Sequence, residues 1–302
     1  MALSKSANGR AYRSIFAPDL FAGKVVVVTG GGSGIGRCIA HELASLGAGV
    51  ALVGRTPEKL AKVASEILAD GGLASPHPCD IRDDEAVASA VADVLRRHGR
   101  IDGLVNNAGG QYRSDIRDMK TKGWRAVVDN NLTGGFIFSR EVFRQAMEAS
   151  GGAIVNIIAD IWGGWPGWAH SGAARAGMLS FTESAACEWG ASGVRVNAVA
   201  PGWVETAALD AYDEQLKARI RTWKTKVPLQ RFATEAEISS AVVYLLSPGA
   251  AFITGSVVRV DGGVPNARPW WELETPARGE RFDGFHRSSP PKMLGDKPAD
   301  AE

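Results

Sequence analysis

Lys24-Val25-Val26-Val27-Val28-Thr29-Gly30-Gly31-Gly32-Ser33-Gly34-Ile35-Gly36 is the stretch on which the fold turns. Four consecutive valines with no polar alternation predict a strand over 24–29 that is buried on both faces. The glycines that follow open an amphipathic helix over 34–46. Their roles differ. Gly30 allows a tight turn, Gly34 lets backbone approach a diphosphate, and Gly36 lets the helix pack closely. The N–H groups at the helix start then face an anion, with Ser33 and Ile35 in the same turn. A valine strand, this turn and a helix in that order point to a bound dinucleotide.

The same alternation continues outward. Strands are expected over 49–53, 74–79, 104–106, 153–158, 195–200 and 257–260. Helices are expected over 57–70, 82–98, 124–147 and 173–189. Strand–helix repetition implies parallel pairing with right-handed crossovers. The expected fold is α/β: a single Rossmann-type, doubly wound parallel sheet of about seven strands with helices on both faces. We read one domain over 23–263, an N-terminal arm over 1–22 and a C-terminal arm over 264–302. Within the domain, 203–231 is irregular and then helical, and stands where such folds place a substrate lid. The last arm is rich in Pro, Arg and Glu and carries Trp270, Trp271 and Phe285; it is expected to pack on the body or on a neighbouring subunit.

The second strand ends Val53-Gly54-Arg55-Thr56. Sites that prefer NAD put an acidic residue there to hold the ribose 2′-hydroxyl. Arg55 offers instead a fork of donors suited to a 2′-phosphate, so NADP(H) is the expected cofactor, ahead of NAD(H).

The 302 residues are 45% hydrophobic and 22% charged, with a net charge of +1. That balance argues against a nucleic-acid footprint or a polybasic membrane patch. The apolar runs, Val25 to Val28 among them, are too short to span a bilayer. A small-molecule partner fits better. Met1 to Arg13 has no apolar signal core, and Pro298-Ala299-Asp300-Ala301-Glu302 is not a Ser-Lys-Leu address, so the expected location is cytoplasmic. Cys38, Cys79 and Cys187 lack metal-ligand spacing and read as buried thiols; no metal site is expected.

Several further motifs resemble those of the short-chain dehydrogenases/reductases, over about 23–263. Thr29-Gly30-Gly31-Gly32-Ser33-Gly34-Ile35-Gly36 is similar to the family's glycine string. Cys79-Asp80-Ile81 resembles the segment that flanks the adenine. Asn106-Asn107-Ala108-Gly109 matches the motif that ends the fourth strand, and Asn131-Leu132-Thr133-Gly134 the helix with the family's active-site Asn. Pro201-Gly202-Trp203-Val204-Glu205-Thr206 resembles the segment beside the nicotinamide, and Asp261-Gly262-Gly263 the closing motif. The resemblance implies cofactor contacts from Asp80, Ile81, Asn106, Ala108, Gly109, Pro201, Gly202, Val204 and Thr206.

The catalytic centre departs from the family's Ser and Tyr-x-x-x-Lys. Aligned on Ala176-Gly177, Ser171 occupies the Tyr position and Arg175 the Lys position, and the Ser position falls on Ile158 or Ala159. Ser is a far weaker acid than Tyr. Arg175 keeps a positive charge for ribose hydroxyls but does not exchange protons. His170-Ser171-Gly172-Ala173-Ala174-Arg175-Ala176-Gly177 resembles the peroxisomal trans-2-enoyl-CoA reductases. The whole chain, including Phe282-Asp283-Gly284-Phe285-His286, is similar to bacterial citronellol/citronellal dehydrogenase-like proteins.

Three readings follow. In the first, NADPH reduces the C=C bond of a 2-enoyl-CoA, which needs donors at the thioester oxygen and no activated Tyr. In the second, an acyclic terpenoid alcohol or aldehyde is oxidised, which needs a base from among His170, Asp160 and Tyr112. In the third, the chain is a cofactor-binding scaffold without chemistry. The candidate catalytic residues are Asn131, His170, Ser171, Arg175 and Tyr112. His170 suits acid–base work at neutral pH, but a structural role for it, and a packing role for Tyr112, stay open. Trp162, Trp165, Trp168 and Trp203 suit a greasy pocket for a lipid-like substrate or a core beneath a loop. Family resemblance implies a dimer or homotetramer paired through 124–147 and 173–189, with Ala173, Ala174, Ala176 and Gly177 allowing close helix approach.

Overall fold

The computed structural model describes residues 11–268, 272–273 and 279–294; Trp270 and Trp271 lie outside the described residues. β1 (Val25–Thr29) uses its valines on both sides. Val25 and Val27 pack on one face, Val26 and Val28 on the other, and all four are buried. Each such burial is worth about 1.5–3 kcal/mol over exposure. β2 (Gly49–Gly54) and β3 (Leu73–Pro78) lie to one side of β1. β4 (Gly103–Asn106), β5 (Gly152–Ile157), β6 (Val194–Pro201) and β7 (Val257–Val260) lie to the other. The order is β3-β2-β1-β4-β5-β6-β7, and every pair is parallel. Strand order reverses between β1 and β4, and that switch point leaves a crevice at the strands' C-terminal ends.

One face of the sheet is covered by α1 (Gly34–Ser45), α2 (Pro57–Ala69) and α9 (Glu235–Leu246). The opposite face carries α3 (Asp84–His98), α5 (Gly134–Val142) and α7 (Ala169–Trp189). The remaining helices are α4 (Thr121–Val128), a one-turn α6 (Glu148–Ser150) and α8 (Glu214–Trp223). The expected Rossmann-type α/β architecture is therefore the one observed.

Three local expectations are corrected. The 124–147 stretch is not one regular helix: it widens to π turns over Asp129–Thr133 and Phe143–Met147. At the first of these, the Asn131 side chain donates to the Val127 carbonyl at 2.8 Å. That carbonyl is the acceptor a regular α turn would offer to the Asn131 main chain. Secondly, α7 starts at Ala169, before residue 173, so His170 and Ser171 sit in its first turn. Thirdly, Cys187 is exposed while Cys38 and Cys79 are buried. Cys187 lies on the outer face of α7 with Glu183 and Glu188, which is why it escapes the core. The helix α9 was not expected at all. Its start is a capping box in which Thr234 Oγ1 accepts from the Glu237 N–H (3.1 Å) and Glu237 Oε2 from the Thr234 N–H (2.9 Å).

The described residues of both arms lie on the body. Phe285 is buried with Tyr12, Cys38 and Ala236. His286 Nε2 and Arg287 Nη2 hold the Asp70 carboxylate at the end of α2, at 2.9 and 2.6 Å. Met293 enters the apolar cluster of Trp168, Leu216, Ile220 and Phe232 beneath α8. Among the described residues no helix is long and apolar enough to cross a membrane, and no cluster of His, Cys, Asp or Glu has metal-binding geometry.

Candidate active site

The phosphate turn is shaped by contacts that only glycine permits. Gly30 has φ +67°, and a Cβ there would lie 2.8 Å from Asn107 Nδ2. A Cβ on Gly36 would collide with the Gly30 carbonyl. Gly34 has φ +55°, which favours glycine, and a Cβ there would meet the Glu235 carboxylate at 4.0 Å. Ser33 caps α1 without a side-chain hydrogen bond, which leaves the first helical N–H groups for an anion. Asn107 fastens this turn: its N–H donates to Thr29 Oγ1 at 3.0 Å and its Nδ2 to the Thr29 carbonyl at 3.0 Å. Neither Thr29 nor Asn107 was singled out from the sequence. The Asn-Asn pair was visible, but which Asn faces the turn depends on the strand's pleat.

A cleft runs from this turn along the strand ends. Gly30, Ser33, Arg55, Ile81, Ala108 and Gly109 line it, together with Thr56 and Lys59. Arg55 and Lys59 are exposed, and among the described residues neither lies within ion-pair distance of a carboxylate. Lys59 stands one helical turn beyond Arg55, a spacing legible in the sequence but overlooked. Asp80 is engaged elsewhere, accepting from Arg82 Nε at 2.9 Å and Nη2 at 2.5 Å; this pairing holds its carboxyl down at about 2. Asn106 lies beneath the cleft, donating to Ser139 Oγ (2.7 Å) and Asn156 Oδ1 (2.8 Å). Ile35 packs against the core below α1. Val204 bridges to Ala233, and Thr206 starts the next turn. The glycine turn, the bare helix start and the cleft that runs from them together fit a nicotinamide dinucleotide.

At the other end, Gly109 is pressed between two candidate residues. A Cβ on it would strike the Arg175 guanidinium and lie 2.7 Å from Asn131 Oδ1. Asn131 is buried and saturated: Nδ2 donates to the Gly110 and Val127 carbonyls at 2.7 and 2.8 Å, and Oδ1 accepts from the Gly110 N–H at 3.2 Å. It therefore fixes the loop after β4. Arg175 Nη1 donates to the Ile157 carbonyl at 2.5 Å, and among the described residues no carboxylate faces it. Burial pulls its guanidinium down to about 10. An enclosed cation without a carboxylate still has donors for hydroxyl or carbonyl oxygens.

Ser171 is buried and donates to Gln111 Oε1 at 2.8 Å. His170 is also buried; its Nδ1 accepts the Ser171 N–H at 2.8 Å, and burial holds the imidazole below its ordinary value, so it is neutral near pH 7. Tyr112 stands edge-on to His170 with ring centroids 4.7 Å apart. Its hydroxyl lies against Gly123 of α4. The structure thus gathers Asn131, Ser171, Arg175, His170 and Tyr112 around the loop 109–112.

Beside them opens a cavity of about 420 Å³. Trp165, Trp168, Trp203, Trp223 and Leu216 wall it, and Ala159, Asp160, Pro201, Gly202, Arg113 and Arg219 line it too. Trp162 lies apart, under the Arg259 guanidinium at 5.0 Å. Trp223, Arg219 and Arg113 were not read from the sequence as pocket residues; α8 brings the first two there and the loop after β4 brings Arg113.

A dinucleotide cleft at a topological switch, a side-chain cluster at the start of α7 and an adjoining apolar cavity define a nicotinamide-dependent oxidoreductase. The chain belongs to the short-chain dehydrogenase/reductase family. A family model described as "Enoyl-(Acyl carrier protein) reductase" matches residues 30–265. A probable 2,4-dienoyl-CoA reductase of Bacillus subtilis (strain 168) is 37% identical over 244 residues, 80% of this chain and 96% of that protein. The solved structure of a citronellol catabolism dehydrogenase of Pseudomonas aeruginosa PAO1 is 54% identical, with TM-score 0.76, and covers 84% of this chain and 100% of that one. An actinorhodin polyketide ketoreductase solved with NADPH is 33% identical, with TM-score 0.76, covering 83% and 100%.

Proposed function

We propose that this oxidoreductase uses NADPH to reduce the C=C bond of a 2-enoyl thioester with a chain-like, lipid acyl group. The observation that carries this reading is the tryptophan-walled cavity with Arg113 and Arg219 on it. Neither guanidinium has an ion-pair partner among the described residues. The aromatic walls suit an apolar chain, and the two cations suit the phosphates of a thioester carrier. A neutral terpenoid alcohol has no use for them.

Bound reduced nicotinamide supplies a hydride to the β-carbon. The protein's own residues do the rest. Arg175 directs unused donors toward the cofactor ribose and the thioester oxygen, where enolate charge develops. Ser171 and Gln111 form a hydrogen-bonded pair beside it. Asn131 holds the loop 109–110 against Arg175. Arg55 and Lys59 receive the 2′-phosphate of the cofactor.

The 54% identity to a citronellol catabolism dehydrogenase favours a second reading, oxidation of an acyclic terpenoid alcohol. One assay separates the readings. NADPH with C8–C12 2-enoyl-CoA and 2,4-dienoyl-CoA, then NADP with citronellol, are followed by nicotinamide absorbance. Turnover of the thioester alone supports the first reading, and turnover of citronellol alone the second. Tight NADPH binding with silence in both leaves a scaffold. Cofactor choice is tested by Arg55→Asp, which is expected to weaken NADPH by at least about tenfold while sparing NADH. Unchanged discrimination overturns the assignment of Arg55.

We further propose that copies of the chain pair through the outer faces of α5 and α7. Ala173 and Ala176 point outward there, whereas Ala174 is buried and Gly177 packs on Leu132.

A further inference from the structure

The expected proton donors are poorly placed to act. Ser171 is spent on Gln111, His170 is neutral and enclosed, and the Tyr112 hydroxyl lies against α4. One carboxyl on the cavity is free of such side-chain contacts. Asp160 follows the position of the family's Ser, and its main-chain N–H is pinned to the Pro201 carbonyl at 3.1 Å. It lines the cavity with Ala159, Pro201 and Gly202. Its Oδ1 is buried and has no hydrogen-bond partner among the described residues.

We propose that Asp160 is the proton donor of the pocket, a catalytic residue that protonates the substrate's α-carbon. The inference rests on the enoyl thioester reading above. The hydride and its electron pair reach the β-carbon from NADPH, and the π pair moves onto the thioester as an enolate. The enolate's α-carbon then forms a bond to the Asp160 proton. The O–H bond of the carboxyl breaks, its electron pair stays on oxygen, and water at the cavity mouth reprotonates the carboxylate. NADPH is oxidised and the C=C bond is reduced, with one hydride and one proton consumed.

The surroundings favour the protonated form. Burial and the neighbouring Asp261 raise the Asp160 carboxyl above its ordinary value; the Trp162 main chain and Arg259 oppose this. Asp261 is itself satisfied by Arg259 Nε and the Gly263 N–H, both at 2.8 Å, and so stands as a fixed negative neighbour. Arg113, Arg219 and Asp115 are the other charged groups on the cavity. An ionised carboxylate with a buried orphan oxygen is costly, and the neutral acid is less so.

Asp160→Asn keeps the shape and removes the proton. With NADPH and 2-decenoyl-CoA from pH 5.5 to 9, kcat is expected to fall about 100-fold or more, with KM within about threefold. The wild-type decline in kcat toward high pH, as the donor loses its proton, is expected to vanish. A second readout needs no cofactor. Tryptophan emission of the apo protein, titrated over the same range, is expected to show a transition through Trp162 and Trp165 that the variant lacks. NADPH affinity, measured by fluorescence, is expected to match wild type and so reports that the variant is folded. Wild-type kcat with its alkaline limb intact in the variant overturns the proposal. If the wild type itself ignores the thioester, the substrate reading fails instead. The apo titration then decides: a transition persisting in Asp160→Asn removes Asp160 as the proton-holding group, and its loss retains it.

Discussion

Glu235 begins α9 directly under the phosphate turn, its carboxylate 4.0 Å from where a Gly34 Cβ would stand. Burial pushes its carboxyl up to about 7; Glu205 and Asp283 push the same way, while Arg37 opposes them. The unfolded chain releases this proton near the ordinary carboxylate value, and the folded chain keeps it until neutrality. Between those limits the folded state binds more protons, so stability falls as pH rises through the window and stays lower above it. The loss is on the order of 3 kcal/mol. Glu235→Gln has no proton to lose. Its melting temperature is expected to exceed wild type by roughly 5 °C or more at pH 8.5 and to match it at pH 5. Thermal unfolding at both pH values checks this, and equal differences at the two would refute it. His41 works from the other side: burial, with Arg37 beside it, pulls its imidazole down to about 4. Acidification below the ordinary histidine value therefore charges the unfolded chain first and destabilises the fold.

Elements were legible wherever a single period ran uninterrupted. The valines of β1 and the helix after Gly34 announce themselves, because side chains buried on both faces leave no other pattern. α9 was missed although Thr234-x-x-Glu237 marks its start. Its buried residues Ile238, Val242, Val243, Leu245 and Leu246 crowd one end, so the helical stripe is indistinct. The π turn at Asn131 could not be read locally, since it depends on a side-chain bond to Val127 and on the loop at Gly110. The C-terminal arm looked irregular in sequence, yet it acts on α8. Asp210 accepts the Lys292 and Met293 N–H groups, both at 3.0 Å, and Arg221 donates to the Met293 carbonyl at 2.7 Å. Main-chain bonds thus hold the arm while the Met293 side chain supports Leu216, which lines the cavity. Met293→Ala is expected to leave the arm docked and remove about 2–5 kcal/mol of packing under α8. KM for the thioester is expected to rise several-fold with NADPH affinity unchanged. Steady-state kinetics beside cofactor titration tests this, and an unaltered KM would show that α8 does not need the arm.

At the scale of the molecule, the sequence motifs point to the cleft at the strand ends because glycine requirements are local. They say little of the tryptophan-walled cavity because its walls come from segments far apart: Arg113 after β4, Trp165 before α7, and Arg219 and Trp223 on α8. Assembly poses the same difficulty, since a helix face is defined only once its inner side is known. α7 turns Ala174, Met178, Thr182, Ala185 and Ala186 inward and leaves Ala173, Ala176, Ser180 and Glu183 outward. On α5, Phe136 is 39% exposed, lies edge-on to Phe181 of α7 with centroids 5.9 Å apart, and carries Arg140 over its ring at 5.3 Å. Small residues on one helix beside a large, half-exposed ring on the other suit the pairing proposed above. Placing a carboxylate at its centre, with only Arg140 over the ring among the described residues, would bury a charge where the two copies meet. Phe136→Glu is therefore expected to convert a dimer or tetramer into a smaller species at micromolar concentration, with the monomer's far-UV signal intact. Light scattering on a sizing column reads the masses directly. A wild type that runs as a monomer, or a variant that keeps the wild-type mass, rules out pairing through this face.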